Sequence, residues 1–343
     1  MENTSSVAAS FVTGGGAVRG LVRSSLFVAA IAFVVGGFFI PVANAAITTL
    51  TVTAPNGGEE WRGTQNIAWS TTGGVPGDVV NIVYSTDDFA SQALITTGVA
   101  YNAPSYAWNT TAFPESTNFK VRFVDGSGFV YDTSNAVFTV DNTAPSTAIA
   151  LAPSSPNGLN GWYVTVPTVT LTCNDGAGSG CNSTYYKWDS AVSWTTYTVP
   201  FIALEGEHIL SFYSDDQATD ASGVRNEEIV KTQTIKVDTT PPTLVTTMSD
   251  AALKAGETSL VTFTFSEAVT GFDNSDITTI ENGTLTPESS TDGGITWMAT
   301  FTPTADTQYA TNVISVNKAG VIDVAGNTGT GTTNSPNYAI DTI

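Results

Sequence analysis

A six-residue segment, Val140-Asp141-Asn142-Thr143-Ala144-Pro145, recurs as Val237-Asp238-Thr239-Thr240-Pro241-Pro242 and begins again at Ile340-Asp341-Thr342-Ile343. Its aspartates stand 97 and 103 residues apart, an interval that holds one small all-β domain. Proline fixes its own backbone and pushes the preceding residue towards extended conformations, so each copy reads as a stiff break between domains. The chain is therefore expected to be a leader over residues 1–45 followed by domains over 46–140, 141–237 and 238–343.

The stretches between the breaks carry strand periodicity. Leu50-Thr51-Val52-Thr53, Glu207-His208-Ile209-Leu210-Ser211-Phe212-Tyr213 and Val261-Thr262-Phe263-Thr264-Phe265 read as strands. Gly293-Gly294, between Thr286–Asp292 and Ile295–Phe301, marks a hairpin. Charged residues make up only 12% of the chain, while Thr, Ser, Gly, Asn, Val and aromatics dominate, so almost no helix is expected after the leader. Pro55-Asn56-Gly57-Gly58 is strong turn chemistry, and Trp61 returns the chain to a core.

In the leader, Arg19 and Arg23 precede an uncharged apolar run from Leu26 to Ile40, then Pro41 and Ala43-Asn44-Ala45, the small-x-small pattern that a signal peptidase cleaves after. The short apolar core and this pattern favour a cleaved signal-peptide helix with the mature chain starting at Ala46. The competing reading is an uncleaved membrane anchor, because Ser24 to Ala46 is nearly long enough to span a bilayer. Either way the remainder lies outside the cytoplasm, secreted or at the cell surface. Cys173 and Cys181 bracket a glycine-rich loop that can bring them within disulfide reach, a state that suits this compartment. Two cysteines and the lone His208 do not complete a tetrahedral zinc site.

The three domains also resemble known families. Pro55-Asn56-Gly57-Gly58-Glu59, Trp61, Gly63, Ile67 and Trp69, with Phe119-Lys120-Val121-Arg122-Phe123 and Asp132-Thr133-Ser134, resemble the Ser-Thr-rich, GPI-anchored-type immunoglobulin-like module of microbial surface proteins. Asn160-Gly161-Trp162-Tyr163, Gly178-Ser179-Gly180, Tyr185-Tyr186-Lys187-Trp188-Asp189 and Glu205-Gly206-Glu207-His208 are similar to the immunoglobulin-like repeat of bacterial outer-surface proteins and secreted glycosidases. That family ends in a Tyr-Ser-x-Asp-x-Ala-Gly-Asn turn. Here Tyr213-Ser214-Asp215-Asp216 opens the turn and Gln217 to Ser222 departs from it, so the resemblance carries over the loop's acidity and not its shape. Leu253-Lys254-Ala255-Gly256-Glu257-Thr258, Val261–Val269 and Asp323-Val324-Ala325-Gly326-Asn327 resemble the bacterial immunoglobulin-like repeats of adhesins and biofilm proteins, arrays commonly stiffened by calcium. Together these imply an all-β fold of three tandem immunoglobulin-like β-sandwiches.

In such a sandwich the loop between the second and third strands and the loop between the last two strands lie at the end where the chain enters. Glu267, Asp323 and Asn327 should then gather near Asp238, and Asp175 with Asp215 or Asp216 near Asp141. With 11 Lys plus Arg against 31 Asp plus Glu and a formal net charge of −20, the chain disfavours nucleic acid and anionic membranes and favours cations. Clustered carboxylates are unfavourable without a cation, and Ca²⁺ takes six to eight oxygen ligands. The expected metal set is Asp238, Glu267, Asp323 and Asn327 at one hinge and Asp141, Asp175 and Asp216 at the other. The bland alternative is that Asp141 and Asp238 merely cap turns through Asx hydrogen bonds and that acidic loops keep the surface soluble.

The first domain has no preceding hinge, and the loop taken as its early counterpart, Ser70-Thr71-Thr72-Gly73-Gly74, holds no carboxylate. Asp132-Thr133-Ser134-Asn135, taken as the late loop, stays acidic with no hinge to serve. Trp188 and Trp194 could form a sugar-stacking face, but large aromatics more often fill cores or cover sheets. No zinc-protease, nucleophile-elbow or phosphate-loop motif occurs, and His208 reads as structural. The expectation is a non-enzymatic secreted or surface stalk or adhesion array with calcium at its hinges. Its partners would be a cell-surface or extracellular matrix ligand, polysaccharide included, with membrane contact only through an uncleaved leader. The alternative is the accessory, carbohydrate-binding portion of a longer polysaccharide-degrading enzyme. Asp341 is expected to bind nothing, and the chain to be a fragment of a longer array.

Overall fold

The computed structural model describes residues 46–343. The leader, with its signal-peptide and anchor readings, lies outside the described residues. Among the described residues the helical elements are three short 3-10 turns, at Thr110–Ala112, Asn274–Asp276 and Lys318–Gly320, and the other regular elements are strands. No helix among them is long and apolar enough to cross a membrane.

Three separate apolar cores account for three sandwiches. The first is built on Trp61, Ile67, Trp69, Trp108, Phe119, Phe123 and Phe138, which alternating strands direct inward. One sheet is Ile47–Ala54, Thr64–Gly73 and Ser105–Asn109; the facing sheet pairs Glu60–Trp61, Phe138–Val140, Ser116–Val124, Val79–Ser85 and Ala93–Ala100. The Pro-Asn-Gly-Gly-Glu run works as one unit. The Glu59 carboxylate accepts the backbone N–H groups of Asn56 and Gly57 at 2.7 and 2.8 Å. Gly57 has φ +132°, and a Cβ there would meet Ala136 at 2.5 Å.

The second core gathers Val169, Leu171, Leu210, Phe212, Ile235 and Val237, with Ser146–Ala152, Thr168–Asn174 and Phe201–Ile202 facing Cys181–Trp188, Gly206–Thr219 and Lys231–Val237. The third gathers Val261, Phe263, Phe265, Phe272, Phe301 and Tyr338. Its Ser259–Phe265 strand pairs with both Leu244–Met248 and Thr296–Pro303. The glycine-bounded hairpin forms, with Ser290 opposite Trp297, although its first arm is only Ser289–Ser290.

The strand Gly206–Thr219 is 14 residues long and overruns its own domain. Its last residue, Thr219, pairs in parallel with Trp61, which itself pairs with Val140, so one 11-stranded sheet runs from the first domain into the second. Backbone bonds from Arg62 N to the Thr219 carbonyl and from Ala221 N to the Thr64 carbonyl fix this junction. A backbone bond of this kind contributes a net stabilisation of about 1 kcal/mol.

Candidate metal centre

Each hinge delivers its aspartate from the end of a closing strand. Asp141 follows Phe138–Val140 and Asp238 follows Lys231–Val237. The next domain then presents two loops to it. At the first hinge these place Asp175, from the loop between Thr168–Asn174 and Cys181–Trp188, and Asp216, from the long strand, beside Asp141. At the second hinge Glu267, just after Ser259–Phe265, and Asp323 meet Asp238. In each trio the carboxylate oxygens lie within 4.8 Å of one another, and these are the two such groups found among the described residues.

The first trio is the more enclosed. Asp141 and Asp216 are buried and Asp175 half-buried. Asp141 accepts the N–H groups of Thr143 at 3.0 Å and Ser179 at 2.7 Å, and Asp175 accepts that of Gly180 at 2.6 Å. Gly178 is required by this closeness: a Cβ there would lie 2.5 Å from Asp141 Oδ2 and 2.6 Å from Asp175 Oδ2. The disulfide between Cys173 and Cys181, whose Cα atoms are 6.2 Å apart, closes the loop that carries Asp175 and Gly178.

The electrostatics of the two trios agree. Burial pushes Asp216 up to about 6, against hydrogen bonds from Asn226, with Asp141 and Asp175 adding to the rise. Burial also pushes Glu267 up to about 6, reinforced by Asp323 and Asp238. Asp175 and Asp238 are raised, again chiefly by burial, with neighbouring carboxylates contributing. Carboxyls held above their ordinary range by burial and by like charge are the groups a divalent cation would stabilise in ionised form. The donors are all hard oxygens, which suits Ca²⁺ rather than a softer metal.

Asn327 sits where the sequence places it, donating to the Asp238 carbonyl and to Asp323 Oδ2, both at 2.9 Å. Asn226 does the same at the first hinge, donating to the Asp141 carbonyl at 3.1 Å and to Asp216 Oδ2 at 2.6 Å. Sequence reading missed Asn226 because it stands ten residues after Asp216, whereas Asn327 stands four after Asp323. The departure at Gln217–Ser222 is therefore an insertion within the turn, and the turn's two ends keep their roles. Asp215 is excluded from the trio: its carboxylate accepts Ser183 N at 2.8 Å and Asn182 Nδ2 at 3.0 Å.

Two further carboxylates anchor the hinges from the preceding domain. Glu115 accepts Asn142 N at 2.9 Å and the Thr143 hydroxyl at 2.8 Å, and Glu205 accepts Thr239 N at 2.7 Å. No motif marks them. Their common feature is position, shortly before Ser116–Val124 and Gly206–Thr219.

The first domain's loops need correcting. Its early loop lies between Thr64–Gly73 and Val79–Ser85 and contains Asp78, and its late loop carries Asp125, while Asp132 lies on the strand Val130–Thr133. Asp78 accepts Val75 N at 2.9 Å, and Asp125 accepts Ser127 N and Phe129 N at 2.8 Å. Asp132 accepts Val52 N at 2.7 Å, beside an irregularity in the pairing of Ile47–Ala54. Acidic residues at this end are thus held singly in turns or strands. Asp341, at the third repeat, is exposed in Tyr338–Asp341 and belongs to neither trio.

The aromatic residues of the second domain cover its sheets. Trp188 packs on Phe201 and against the core, while Tyr185 stacks on Tyr213, whose ring lies nearly perpendicular to that of Trp194 with the ring centroids 4.8 Å apart. His208 bonds Asp189 at 2.7 Å and the Glu205 carbonyl at 2.8 Å through its two ring nitrogens.

No curated protein matches the chain. Among solved structures it is similar to the FN1–FN3 domains of chicken CNTN1, at 11% identity and TM-score 0.28, covering 86% of this chain and 98% of that one. It is also similar to the Escherichia coli adhesin FdeC, at 15% identity and TM-score 0.27, covering 89% of this chain and 100% of that one. Residues 238–340 match the family model described as a bacterial Ig-like domain, so the third sandwich, with Asp238, Glu267, Asp323 and Asn327 inside the matched span, is where the chain's likeness to that family is shown.

Proposed function

We propose that the chain is a non-enzymatic, surface-displayed or secreted stalk that holds a calcium ion at each of its two hinges. The observation that carries this reading is the recurrence of one arrangement: a hinge aspartate, a carboxylate from the early loop and an aspartate from the strand that leads into the late turn, within 4.8 Å of one another, at both interdomain junctions. Asp141, Asp175 and Asp216 would hold one ion, and Asp238, Glu267 and Asp323 the other. Asn226 and Asn327 would act as positioning residues that orient Asp216 and Asp323. Bound calcium would neutralise the like charges that otherwise push the domains apart, converting electrostatic strain into a fixed angle. A stalk of this kind holds its outer domains away from the cell, within reach of a surface or matrix ligand.

Calorimetric titration of the chelator-treated chain with Ca²⁺ tests the reading directly. Two binding events are expected, one strongly weakened in Asp238→Ala and the other in Asp141→Ala. Absence of binding heat, together with small-angle scattering that chelator does not alter, would defeat it.

A further inference from the structure

The residues inserted between Asp216 and Asn226 do more than lengthen a loop. They form a hairpin in which Gly206–Thr219 is followed by a tight turn and by Arg225–Glu227, with Thr219 opposite Arg225. The tip is closed by Asp220, whose carboxylate accepts Ser222 N at 2.8 Å and Val224 N at 3.0 Å. Its two arms are tied by Arg225, which donates to the carbonyls of Asp216 and Gln217 at 2.8 Å.

This hairpin lies against the first domain. Besides the backbone bonds at Arg62 and Ala221, Arg62 Nη1 donates to the carbonyls of Val224 at 3.2 Å and Arg225 at 2.8 Å, and Gln65 Nε2 donates to the Thr219 carbonyl. The hinge itself is plugged into the same domain, for Asn142 Oδ1 accepts Gly63 N at 2.8 Å and the Thr110 hydroxyl at 3.0 Å. None of these acceptors belongs to the carboxylate trio. At the second hinge the loop from Asp323 to Asn327 has no such extension. Outside the trio and its asparagine, that loop meets the second domain through Leu159 N on the Ala325 carbonyl at 2.7 Å and Asn160 Nδ2 on the Val324 carbonyl at 2.9 Å.

We infer that this hairpin fuses the first two domains into one stiff body without the aid of a cation, so that cation-dependent bending is confined to the hinge at Asp238. The second half of this inference rests on the calcium reading above; the first half does not. A strand shared between two domains resists rotation about the hinge through directional backbone bonds, whereas small polar interdomain contacts leave relative motion as the default.

The test uses the full chain with spin labels on cysteines introduced pairwise at exposed positions: Thr97→Cys with Ala191→Cys across the first hinge, and Ala191→Cys with Thr284→Cys across the second. Both native cysteines are in the disulfide, so the labels are unique. Dipolar distance distributions are recorded in calcium and in chelator. Expected is a first-hinge width that chelator leaves unchanged and a second-hinge width that grows about twofold or more. Replacing Gln217–Arg225 by Val-Ala-Gly, the spacing found between Asp323 and Asn327, should make the first hinge broaden in chelator as the second does. The milder double change Arg62→Ala with Gln65→Ala should broaden it partly, and serves if the shortened loop does not fold. Equal broadening of both hinges in the unaltered chain, or a first hinge that stays narrow in chelator after the hairpin is removed, would overturn the inference. Widths at the second hinge that ignore calcium would defeat the calcium reading and with it the confinement of bending to the second hinge, and the hairpin's part is then read from whether its removal broadens the first hinge in either buffer.

Discussion

The hinges at Asp141 and Asp238 bring together the same kind of trio and the same asparagine, yet the loops that deliver them differ in length and in use. In the third domain Asp323-Val324-Ala325-Gly326-Asn327 closes on itself, with Asp323 accepting the N–H groups of Gly326 and Asn327 at 2.7 and 2.8 Å. In the second, the corresponding turn opens into a hairpin that joins the first domain's sheet, and the asparagine returns at its far end. A side-chain site depends on where the ends of a loop sit, so its middle is free to take another task. The hairpin therefore changes the mechanics of the first junction while leaving its carboxylates in place.

The largest expected effect that separates the hinges is at the disulfide, which only the first possesses. Replacing Cys173 and Cys181 by serine frees a short loop and should cost the second domain about 2–3 kcal/mol in denaturant unfolding. Calcium affinity should fall at the first site and stay unchanged at the second. Equal losses at both would remove the loop's special role. Next, in calcium titrations, Asp238→Ala should weaken the second site by on the order of 100-fold while leaving the first untouched.

Asn226→Ala and Asn327→Ala probe whether the two asparagines are equivalent. Each should cost about 1–3 kcal/mol, because a buried carboxylate and a hinge carbonyl lose a donor. A cost at Asn327 alone would break the likeness between the turns.

Proton linkage should treat the hinges alike. Asp216 and Glu267 are both pushed up to about 6 in the folded chain, above the ordinary carboxylate range, so between about pH 4 and 6 the folded state keeps protons that the unfolded chain has released. Without a cation, stability therefore falls as pH rises through that window. In chelator, the melting temperature should drop by a few degrees between pH 4 and pH 7. Millimolar calcium, which favours the ionised carboxylates, should erase that drop. The smallest effect belongs to a carboxylate outside both hinges: Asp132→Ala should cost about 1 kcal/mol through the lost bond to Val52 N, with both calcium isotherms unchanged.

Much of this was legible in the chain itself. Strand alternation in Val261–Phe265 and in the run from Glu207 to Tyr213, and turn chemistry in Pro55–Gly58, are local signals, and the strands and turn they indicate are present. The trio residues were legible because sandwich topology fixes which loops share an end, so no contact had to be known in advance. Asp132 was misread as a loop carboxylate because strand ends inside an acidic, glycine-rich stretch leave no local mark. Asn226 was missed for a different reason, since a spacing rule fails wherever a hairpin is inserted.

The sequence by itself determined the repeat length, the all-β character, the pairing of Cys173 with Cys181 and the acidity of each hinge, because these rest on neighbours along the chain or on topology. Only the tertiary structure decided that Gln217–Arg225 reaches the first domain, that Asp216 rather than Asp215 faces Asp141, and that Gly178 must lack a side chain. Those outcomes turn on distances between segments tens to more than a hundred residues apart, such as Trp61 beside Thr219, and on which face of a strand a side chain takes, a choice that a one-residue shift in register reverses.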